Sequence, residues 1–498
     1  MKYATSVKQQ LDQIKHEDAG SPRKKVLVLG AGIAGLAAGY ELTMQGHSVE
    51  ILEASSRLGG RIWTHRFNNG QQGEFGAMRI PASHDYTRHY VEQLGLGLRP
   101  FKNASEKAYF DLEGHLFKVE DAHEKVEALF HLSKRDKDEI KAEADLDTIY
   151  LRIVKAILND LEDAEKAQLF GHGPFSERLR RLDSQSLLQT LSRYPDTTDA
   201  IRLMGKATGL DDYWQRSTLL FIREEIDDAF SGLEEIEGGM ERLPQALADM
   251  PLPNGMKLRD RITFSQEVRA IAQTNESVSV IVKNGSKQET LTAPYVLCTI
   301  PFSVLRRIDL HGICKSKYIK DAIQGLGYQS ATKVLLNCKQ RFWESQEGIY
   351  GGKTISDSAI KQTFYPSDNA AERKEISEGP GVLLGSYSWG ATARRLGALR
   401  PKDRGELVSD RIQRFHPDIK QYLDKSQPYA SMAWDQHPYA AGAFSSSYPL
   451  DLQMFFPGAS QPAGRLFFAG EHLSPYPTWI QGGLWSALQA VSQIVRAC

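Results

Sequence analysis

Hydrophobic and polar positions form their clearest pattern near the start of the chain. Val26–Leu29 is a short apolar run, typical of a strand covered on both faces. Ala34–Met44 is rich in helix-forming residues, and Gly46 can end that helix. Ser48–Leu52 has the composition of the next strand. The pattern therefore predicts a strand, a tight turn, a helix and a second strand.

The middle of the chain changes character between about residue 130 and residue 230. Charged residues become dense there, and apolar residues recur at helical spacing. Further helices are predicted to begin near Asp183-Ser184 and to end near Gly209. We interpret this part as a helical insertion whose apolar stripes pack into the core. One stripe consists of Leu146, Ile149, Tyr150, Ile153, Ile157 and Leu161.

Strand patterns return after the helical insertion. Phe264–Ile271 and Ser277–Lys283 alternate as strands with one exposed face do, and Asn284-Gly285 predicts a hairpin turn. The other predicted elements are buried strands at Tyr295–Ile300 and Arg465–Ala469, an apolar strand opening with Lys333, a strand-like run at Gly385–Trp389 and a last helix at Leu484–Val495.

Three glycines add candidate chemistry to the first predicted turn. Gly30, Gly32 and Gly35 have the G-x-G-x-x-G spacing, in which the first glycine allows the turn and the second lets backbone approach a pyrophosphate. The third lets the helix pack closely on the strand. Glu53 follows the glycines by about 20 residues, where an acid accepts a ribose hydroxyl. Although the glycine pattern alone can be a mere turn, this combination predicts a dinucleotide site.

Composition limits the protein class. The 498 residues predict two or three domains, and 41% hydrophobic with 25% charged residues is typical of a globular protein. The net charge of −1 argues against nucleic acid or an anionic membrane as partner. We find no 18-residue apolar run, and the first twenty residues are polar, as in a short amphipathic helix. The cysteines Cys298, Cys314, Cys338 and Cys498 have no metal spacing, which predicts free thiols and a cytoplasmic location.

The residues that follow Glu53 narrow the dinucleotide prediction. Arg57, Gly60 and Arg61 belong to the run RLGGR, which places bare backbone and positive charge beside the same phosphates. Surface ion pairing is the alternative for the two arginines. The run from Gly30 to Arg61 resembles the flavin amine oxidase superfamily, and this resemblance implies FAD as the cofactor.

The second informative stretch runs from Glu74 to Pro81. Gly76 and Ala77 are small enough for backbone to lie against a flavin ring, and Arg79 stands between apolar residues, where an arginine needs a partner. Its planar guanidinium suits a carboxylate, although an internal Arg–Asp or Arg–Glu bridge is the alternative. The motif and the following HDYTRHYVEQLGL are similar to L-amino acid oxidases, whose arginine here holds the substrate carboxylate.

The resemblance implies further site residues. Tyr387 matches the family's carboxylate tyrosine, and Lys333 matches the lysine that holds a water at flavin N5. Trp479, Trp389 and Phe444 would line the substrate pocket, as Trp214 would if it is not an ordinary buried tryptophan. The implied cofactor-binding residues are Gly30, Gly32, Ala34, Gly35, Glu53, Ala54, Arg57, Gly60, Arg61, Gly76, Ala77, Met78, Arg79, Val268, Trp434, Gly470, Glu471, Trp479 and Ile480. Gly482 and Gly483 would open the last helix toward the flavin, with helix–helix packing as the alternative.

The expected fold is α/β: a Rossmann-like FAD-binding domain of the GR2 type, a mixed-sheet substrate-binding domain and an inserted helical domain. We expect the FAD-binding domain at 22–72, 236–325 and 446–498. The substrate-binding domain is expected at 73–129 and 326–445, the helical domain at 130–235 and an N-terminal helix or arm at 1–21.

The expected function is that of an FAD-dependent L-amino acid oxidase. It would transfer hydride from an L-amino acid to flavin N5 and use O₂, giving a 2-oxo acid, ammonia and hydrogen peroxide; no metal is expected. A flavin amino acid monooxygenase, an amine oxidase and a non-catalytic flavin-binding scaffold are the alternatives. The resemblance also implies a homodimer or higher homo-oligomer. Trp214, Trp389 and Phe444 favour large or apolar substrate side chains, whereas Asp211, Asp212 or Glu225 could recruit arginine or lysine.

Overall fold

The structure, a computed structural model, describes residues 3–143, 148–171, 174–193, 198–312 and 317–497. Helices, parallel strands and antiparallel strands alternate in this part of the chain, which confirms the expected α/β class. Among these residues, we find no helix that combines the length and the apolar character needed to cross a membrane.

The predicted strand–turn–helix–strand unit forms the centre of a five-stranded parallel sheet. Helix Ile33–Met44 connects strands Lys25–Leu29 and Ser48–Leu52, and Val26 and Leu27, which point to opposite faces of the first strand, are both buried. This burial on both faces is typical of a parallel sheet. In spatial order, the strands are Leu466–Phe468, Tyr295–Cys298, Lys25–Leu29, Ser48–Leu52 and Ile262–Thr263.

A four-stranded sheet follows the helical insertion in the chain. Its strands are, in spatial order, Lys287–Ala293, Val278–Asn284, Glu267–Gln273 and Asp309–His311. The hairpin predicted at Asn284-Gly285 is present, and Gly285 has a positive φ of 58°. The strand predicted from Phe264 begins only at Glu267, because Ser265 takes φ 59° and its N–H donates to the carbonyl of Ser55.

The largest sheet carries two of the expected site residues on neighbouring strands. Lys333 and Tyr387 are directly paired in the antiparallel register. In spatial order, the seven strands are Tyr429–Ala433, Ala331–Cys338, Gly381–Trp389, Gln362–Phe364, Lys353–Ser356, Tyr109–Leu112 and His115–Lys118. All neighbours are antiparallel except Lys353–Ser356 and Tyr109–Leu112.

Shorter elements complete the described structure. Two-stranded sheets pair Thr64–Arg66 with Gln72–Glu74, Leu98–Pro100 with Glu234–Ile236, and Tyr328–Gln329 with Phe444–Ser445. Besides Ile33–Met44, the α-helices are Val7–Asp18, Asp85–Gln93, Ala122–Leu129, Lys134–Glu143, Thr148–Asp160, Asp163–Gln168, Glu177–Asp183, Leu187–Leu191, Thr198–Thr208, Thr218–Asp227, Arg242–Ala248, Phe302–Leu305, Lys317–Gly325, Phe342–Ser345, Lys374–Ser377, Gly390–Gly397, Pro401–Ile412, Ile419–Tyr422, Asp451–Ala459 and Ile480–Arg496. Short 3₁₀ turns are Val119–Asp121, Leu210–Tyr213, Leu258–Arg261, Trp434–Gln436 and Glu471–Leu473.

The helical insertion has the core-facing stripe that its sequence predicted. Tyr150, Ile153 and Leu161 are buried in the main hydrophobic core, and Ile157 packs against it partly exposed. Leu146 lies outside the described residues, and the side chain of Ile149 is not described. The predicted boundaries of the three domains are not tested by these packing contacts and stay predictions.

The two ends of the chain pack together. The predicted N-terminal helix is Val7–Asp18, and Gln489 of the last helix donates to Gln10 at 2.7 Å. The last helix begins at Ile480 rather than at the predicted Leu484.

The buried cysteines Cys298 and Cys338 are free, whereas Cys314 and Cys498 lie outside the described residues.

Close packing of helix on strand depends on the third glycine of the first turn. A Cβ placed on Gly35 would lie 1.9 Å from the Gly30 carbonyl oxygen, a distance that the backbone cannot accommodate without moving. A Cβ on Gly32 would meet nothing within 4 Å. Packing among the described residues therefore requires glycine at position 35 and not at position 32.

We expect Gly35→Ala to lower the free energy of unfolding by about 1–3 kcal/mol, because the added methyl group overpacks a buried contact. Gly32→Ala is the matched control, and we expect its unfolding free energy to stay within about 1 kcal/mol of wild type. Chemical denaturation of both variants measures this difference. Equal stability of the two variants would contradict the assigned packing role.

Candidate functional site

A cavity of about 1090 Å³ joins the glycine turn to the surroundings of Arg79. Gly30, Gly32 and Glu53 line one part of it, and Arg79 and Tyr387 line another. The cavity therefore brings together residues from the five-stranded sheet and from the seven-stranded sheet.

The glycine turn presents backbone to the cavity. Gly30 has φ +107°, which favours glycine, and helix Ile33–Met44 starts at Gly32 without a side-chain cap. The unpaired N–H groups of a first helical turn and the positive end of the helix dipole attract a phosphate. Gly60, with φ +58°, also lines this part of the cavity.

Glu53 is held in place at the end of its strand. One carboxylate oxygen accepts a hydrogen bond from the Ala31 N–H at 2.8 Å, and the other accepts from the N–H and hydroxyl of Ser55. Ala54 and, on the four-stranded sheet, Val268 line the cavity close to this carboxylate. The arrangement suits recognition of a ribose and an adenine ring.

A second helix also begins at the cavity. Ile480–Arg496 starts at Trp479 without a side-chain cap, and Gly483 in its first turn lines the cavity. A Cβ on Gly482 would lie 2.2 Å from the Tyr476 carbonyl oxygen, so this glycine is required for packing. Thr478, which precedes Trp479, takes φ +77°, an unusual conformation for a β-branched residue that marks a strained segment.

Glu471 connects this segment with the glycine turn. Its carboxylate accepts hydrogen bonds from Arg61 at 2.7 Å, from the Ser445 hydroxyl at 2.7 Å and from the Thr478 N–H at 3.0 Å. Arg61 and Glu471 both line the cavity, as Gly470 does. This network fixes a paired charge beside the cavity and holds the strained segment in its conformation.

Arg79 is a guanidinium enclosed by aromatic rings. Its Cζ lies 5.7–6.0 Å from the ring centroids of four residues, and its Nη1 donates to the Asn103 side-chain oxygen at 2.9 Å. No carboxylate of the described residues lies within 4.0 Å of it, so the internal bridge considered from the sequence is not formed. Burial lowers the pKa of Arg79, although arginine remains protonated. The four rings are those of Phe101, Phe230, Phe364 and Trp479.

Lys333 and Tyr387 are neighbours on the seven-stranded sheet, and both line the cavity together with Arg79. The Lys333 Nζ is 4.5 Å from the centroid of the Tyr387 ring and donates to the Gly76 carbonyl at 2.6 Å. Burial lowers the pKa of Lys333, while the charge of Glu74 opposes this shift. Burial raises the pKa of Tyr387, so its hydroxyl is a proton-bearing hydrogen-bond donor at neutral pH.

Aromatic side chains form much of the remaining wall. Trp389, Phe444 and Trp479 line the cavity, as the resemblance implied. Trp214 does not line it: its ring lies so close to Gly205 that a Cβ there would be 2.3 Å away. Tyr213, the last residue of the 3₁₀ turn that precedes Trp214, lines the cavity instead.

The acidic residues considered from the sequence also differ in whether they line the cavity. Asp211 forms an ion pair with Lys361 at 2.7 Å, and Asp212 lies 3.8 Å from the same lysine. Neither aspartate lines the cavity, whereas Glu225 does. Glu224 also lines it and accepts a hydrogen bond from the Trp479 indole N–H at 3.2 Å.

Most residues implied by the resemblance line the cavity, and two of the cofactor candidates do not. The Arg57 guanidinium lies 4.0 Å from the Trp63 ring centroid and donates to backbone carbonyls, including that of Leu58 at 3.0 Å. Gly35 lies behind the turn as a packing contact. Those that line it are Gly30, Gly32, Ala34, Glu53, Ala54, Gly60, Arg61, Gly76, Ala77, Met78, Arg79, Val268, Lys333, Tyr387, Trp389, Trp434, Phe444, Gly470, Glu471, Trp479 and Ile480.

Sequence reasoning missed Asn103, Glu224 and Phe230. Glu224 had a usable signal: with Leu220 and Asp228 it lies at helical spacing on one face, and an acid in such a row marks a face that is not simply core. Asn103 and Phe230 lie in connecting segments, where no periodicity indicates the direction of a side chain.

The residues present fit FAD. Bare backbone at Gly32 leaves room that a Cβ would fill, two uncapped helix starts face one cavity, and Glu53 stands at the end of the strand. Phosphate, ribose and ring would thus each meet a group of suitable chemistry.

Comparison with known proteins agrees with this geometry. The family model described as flavin containing amine oxidoreductase matches residues 33–495. A flavin-dependent L-tryptophan oxidase of Lentzea aerocolonigenes is 34% identical over 95% of this chain and 98% of its own length. An L-amino-acid oxidase of Vipera ammodytes ammodytes is 29% identical over 95% of this chain and 93% of its own length.

Solved structures show the same fold. A putrescine oxidase mutant superposes with a TM-score of 0.73 and 17% identity, covering 95% of this chain and 99% of the other. Cyclohexylamine oxidase of Brevibacterium oxydans IH-35A has a TM-score of 0.72 and 18% identity, with the same coverage. The family model and the relative from Lentzea confirm the expected resemblance, and the chain belongs to the family of flavin-containing amine oxidoreductases.

Proposed function

We propose that this protein is an FAD-dependent L-amino acid oxidase that converts an L-amino acid and O₂ to a 2-oxo acid, ammonia and hydrogen peroxide. The observation that carries the proposal is the enclosed guanidinium of Arg79, which has no carboxylate partner among the described residues. A plain amine has no anionic group that the guanidinium could bind, whereas an amino acid has its carboxylate.

The substrate carboxylate would accept two parallel hydrogen bonds from the Arg79 guanidinium. The Tyr387 hydroxyl would supply a further donor. Fixing the carboxylate in this way limits the amino acid to one orientation, so that Cα–H faces the same direction in every complex. Asn103 supports the arrangement, because it holds the guanidinium through Nη1.

FAD would be held by the glycine turn, Glu53, Arg61, Glu471 and the start of the last helix. When bound, FAD supplies the two-electron oxidation of the amino acid and the subsequent reaction with O₂. Lys333 is proposed to hold a water beside the ring system, because its Nζ is fixed by the Gly76 carbonyl. The aromatic wall excludes bulk water from the bound amino acid and strengthens its ionic contacts.

We propose a large aromatic side chain as the preferred one. The aromatic lining supports it, and so does the activity named for the Lentzea relative, an L-tryptophan oxidase. Pairing of Asp211 and Asp212 with Lys361 weakens the case for cationic side chains. A cytoplasmic location and a homodimer stay predictions from the sequence; the free thiols of Cys298 and Cys338 fit a reducing compartment.

A substrate panel tests the function. We expect hydrogen peroxide and a 2-oxo acid from aromatic L-amino acids and neither from the corresponding decarboxylated amines. An amide formed with loss of CO₂ would identify a monooxygenase, and oxidation of the amines would identify an amine oxidase. No turnover with any compound would leave a flavin-binding scaffold.

We expect Gly32→Ala to weaken FAD binding by about tenfold or more, because the added methyl group occupies the space where backbone approaches the pyrophosphate. Titration of cofactor-free protein with FAD, followed by flavin fluorescence, measures the affinity. Unaltered affinity would contradict the placement of the pyrophosphate at this turn.

We expect Arg79→Ala to raise KM for aromatic amino acids by about tenfold or more, because charge-assisted hydrogen bonds to the carboxylate are lost. Arg79→Lys retains the charge without the planar fork, so its KM should rise less. Steady-state peroxide release measures both values. The matched control is Arg99→Ala, since Arg99 pairs with Glu235 at 2.7 Å and does not line the cavity; a rise in KM equal to that of Arg79→Ala would remove the assignment.

A further inference from the structure

Helix Thr218–Asp227 brings a carboxylate into the cavity that the docking of the substrate carboxylate does not use. Glu224 lines the cavity, and one of its oxygens accepts a hydrogen bond from the Trp479 indole N–H at 3.2 Å. No other hydrogen bond to the Glu224 carboxylate is formed among the described residues, so its second oxygen is available to a molecule in the cavity.

Glu224 and Arg79 contact the same ring. The Arg79 Cζ lies 6.0 Å from the centroid of Trp479, and the indole nitrogen of that ring is bonded to Glu224. The two opposite charges form no ion pair within 4.0 Å. They therefore flank the space beside Trp479, as the two charges of an α-amino acid zwitterion require.

Other ionisable groups near this space already have partners. The carboxylate of Glu225 accepts a hydrogen bond from Tyr150, and Asp211 is paired with Lys361. The Lys333 Nζ donates to the Gly76 carbonyl at 2.6 Å. Glu224 is thus the cavity-facing base with an uncommitted oxygen among these groups.

We propose that Glu224 is the base that removes the proton from the α-ammonium group of the bound amino acid. This inference rests on the proposed function, because it needs a substrate with its carboxylate on Arg79. The ammonium N–H bond breaks, the proton passes to a Glu224 oxygen, and the products are a neutral amine and a neutral carboxylic acid. No oxidant is consumed in this step, and the amine lone pair that it frees is what the oxidation of the C–N bond requires.

The surroundings of Glu224 make it a suitable base. Burial raises its pKa to about 7, with Glu225 and Asp227 acting in the same direction and the Trp479 hydrogen bond and the Arg79 charge opposing. A base with a pKa near the working pH is ionised often enough to act and basic enough to accept the proton. A substrate carboxylate placed on Arg79 adds negative charge nearby, which strengthens Glu224 as a base further.

Other charged and titratable groups lie near Glu224. Asp227 faces away into a pair with His84, whose Nε2 lies 3.2 Å from the aspartate. Burial raises the pKa of Tyr213 well above its ordinary range, so this tyrosine stays neutral near pH 7. Burial also lowers the pKa of Lys333 and raises the pKa values of Glu74 and Asp212 toward neutrality, so a pH effect near 7 is assigned to Glu224 only by its loss in Glu224→Gln.

The first test measures flavin reduction by an aromatic L-amino acid without oxygen, by stopped-flow absorbance over a range of about pH 5.5–9.5. In the wild-type holoenzyme, the rate should rise with pH through about 7, because the ionised form of Glu224 is the active one. In Glu224→Gln the rate at pH 7 should fall by about 100-fold. It should then rise only as the substrate loses its ammonium proton to solvent.

Two variants make this result specific. Glu225→Gln, the matched control from the same helix, should keep a rise of the rate with pH, displaced to lower pH because the negative charge of Glu225 raises the pKa of Glu224. Glu224→Asp should recover part of the rate lost in Glu224→Gln, because it restores a carboxylate in place of the amide. Flavin absorbance and the unfolding midpoint of each variant establish that the holoenzyme is intact.

The second test needs no turnover. α-Methyl-L-phenylalanine has a carboxylate and an ammonium group but no Cα–H, and 3-phenylpropionate lacks the ammonium group. Titration of the holoenzyme, followed by the flavin spectrum, should show that wild type prefers the amino compound and that Glu224→Gln loses most of this preference. A preference that survives in Glu224→Gln would overturn the contact between Glu224 and the ammonium group.

The outcomes separate this inference from the proposed function. Wild-type reduction by amino acids with an unaltered rate and pH profile in Glu224→Gln would overturn the base and leave the oxidase intact. A loss confined to lysine and arginine would also overturn it and would make Glu224 a side-chain contact. Absence of reduction by any amino acid would reject the oxidase itself, and the binding titration would still decide whether Glu224 meets an ammonium group.

Discussion

The geometry of the site depends on one enclosed positive charge. Arg79 is surrounded by four aromatic rings and held through a single amide, so its charge is costly unless a negative ligand meets it. A neutral partner such as Asn103 orients the guanidinium without compensating its charge. The site is therefore stable enough to fold and still favours a carboxylate, which is the property that a carboxylate-binding enzyme needs.

The cofactor part of the cavity depends on backbone rather than on charge. The third glycine of the first turn brings the helix against the strand, while the second leaves bare backbone at the cavity wall. The start of the last helix approaches the same space from the opposite end of the chain, held by Glu471 and the strained Thr478. Elements separated by more than four hundred residues thus form one binding surface.

Trp479 links the two chemical functions of the cavity. Its ring faces Arg79, its indole nitrogen is bonded to Glu224, and His84 packs on it edge to face at 5.1 Å. A side chain that contacts the cofactor region, the cation and the acid sets their relative positions. The helical insertion consequently does more than cover the cavity, because helix Thr218–Asp227 contributes the acid.

The sequence by itself determined the class of fold, the cofactor and the family, because the glycine spacing, the apolar strands and the motif around Arg79 are local features that act through backbone conformation and burial. Tertiary structure decided which side chains reach the cavity. Tyr213 lines it and Trp214 does not, since the Trp214 ring packs against Gly205 of another helix. The ion pair of Asp211 with Lys361 and the hydrogen bond from Trp479 to Glu224 form only in the folded chain. Partners so far apart in sequence leave no local pattern, because their contact is fixed by the packing of whole elements.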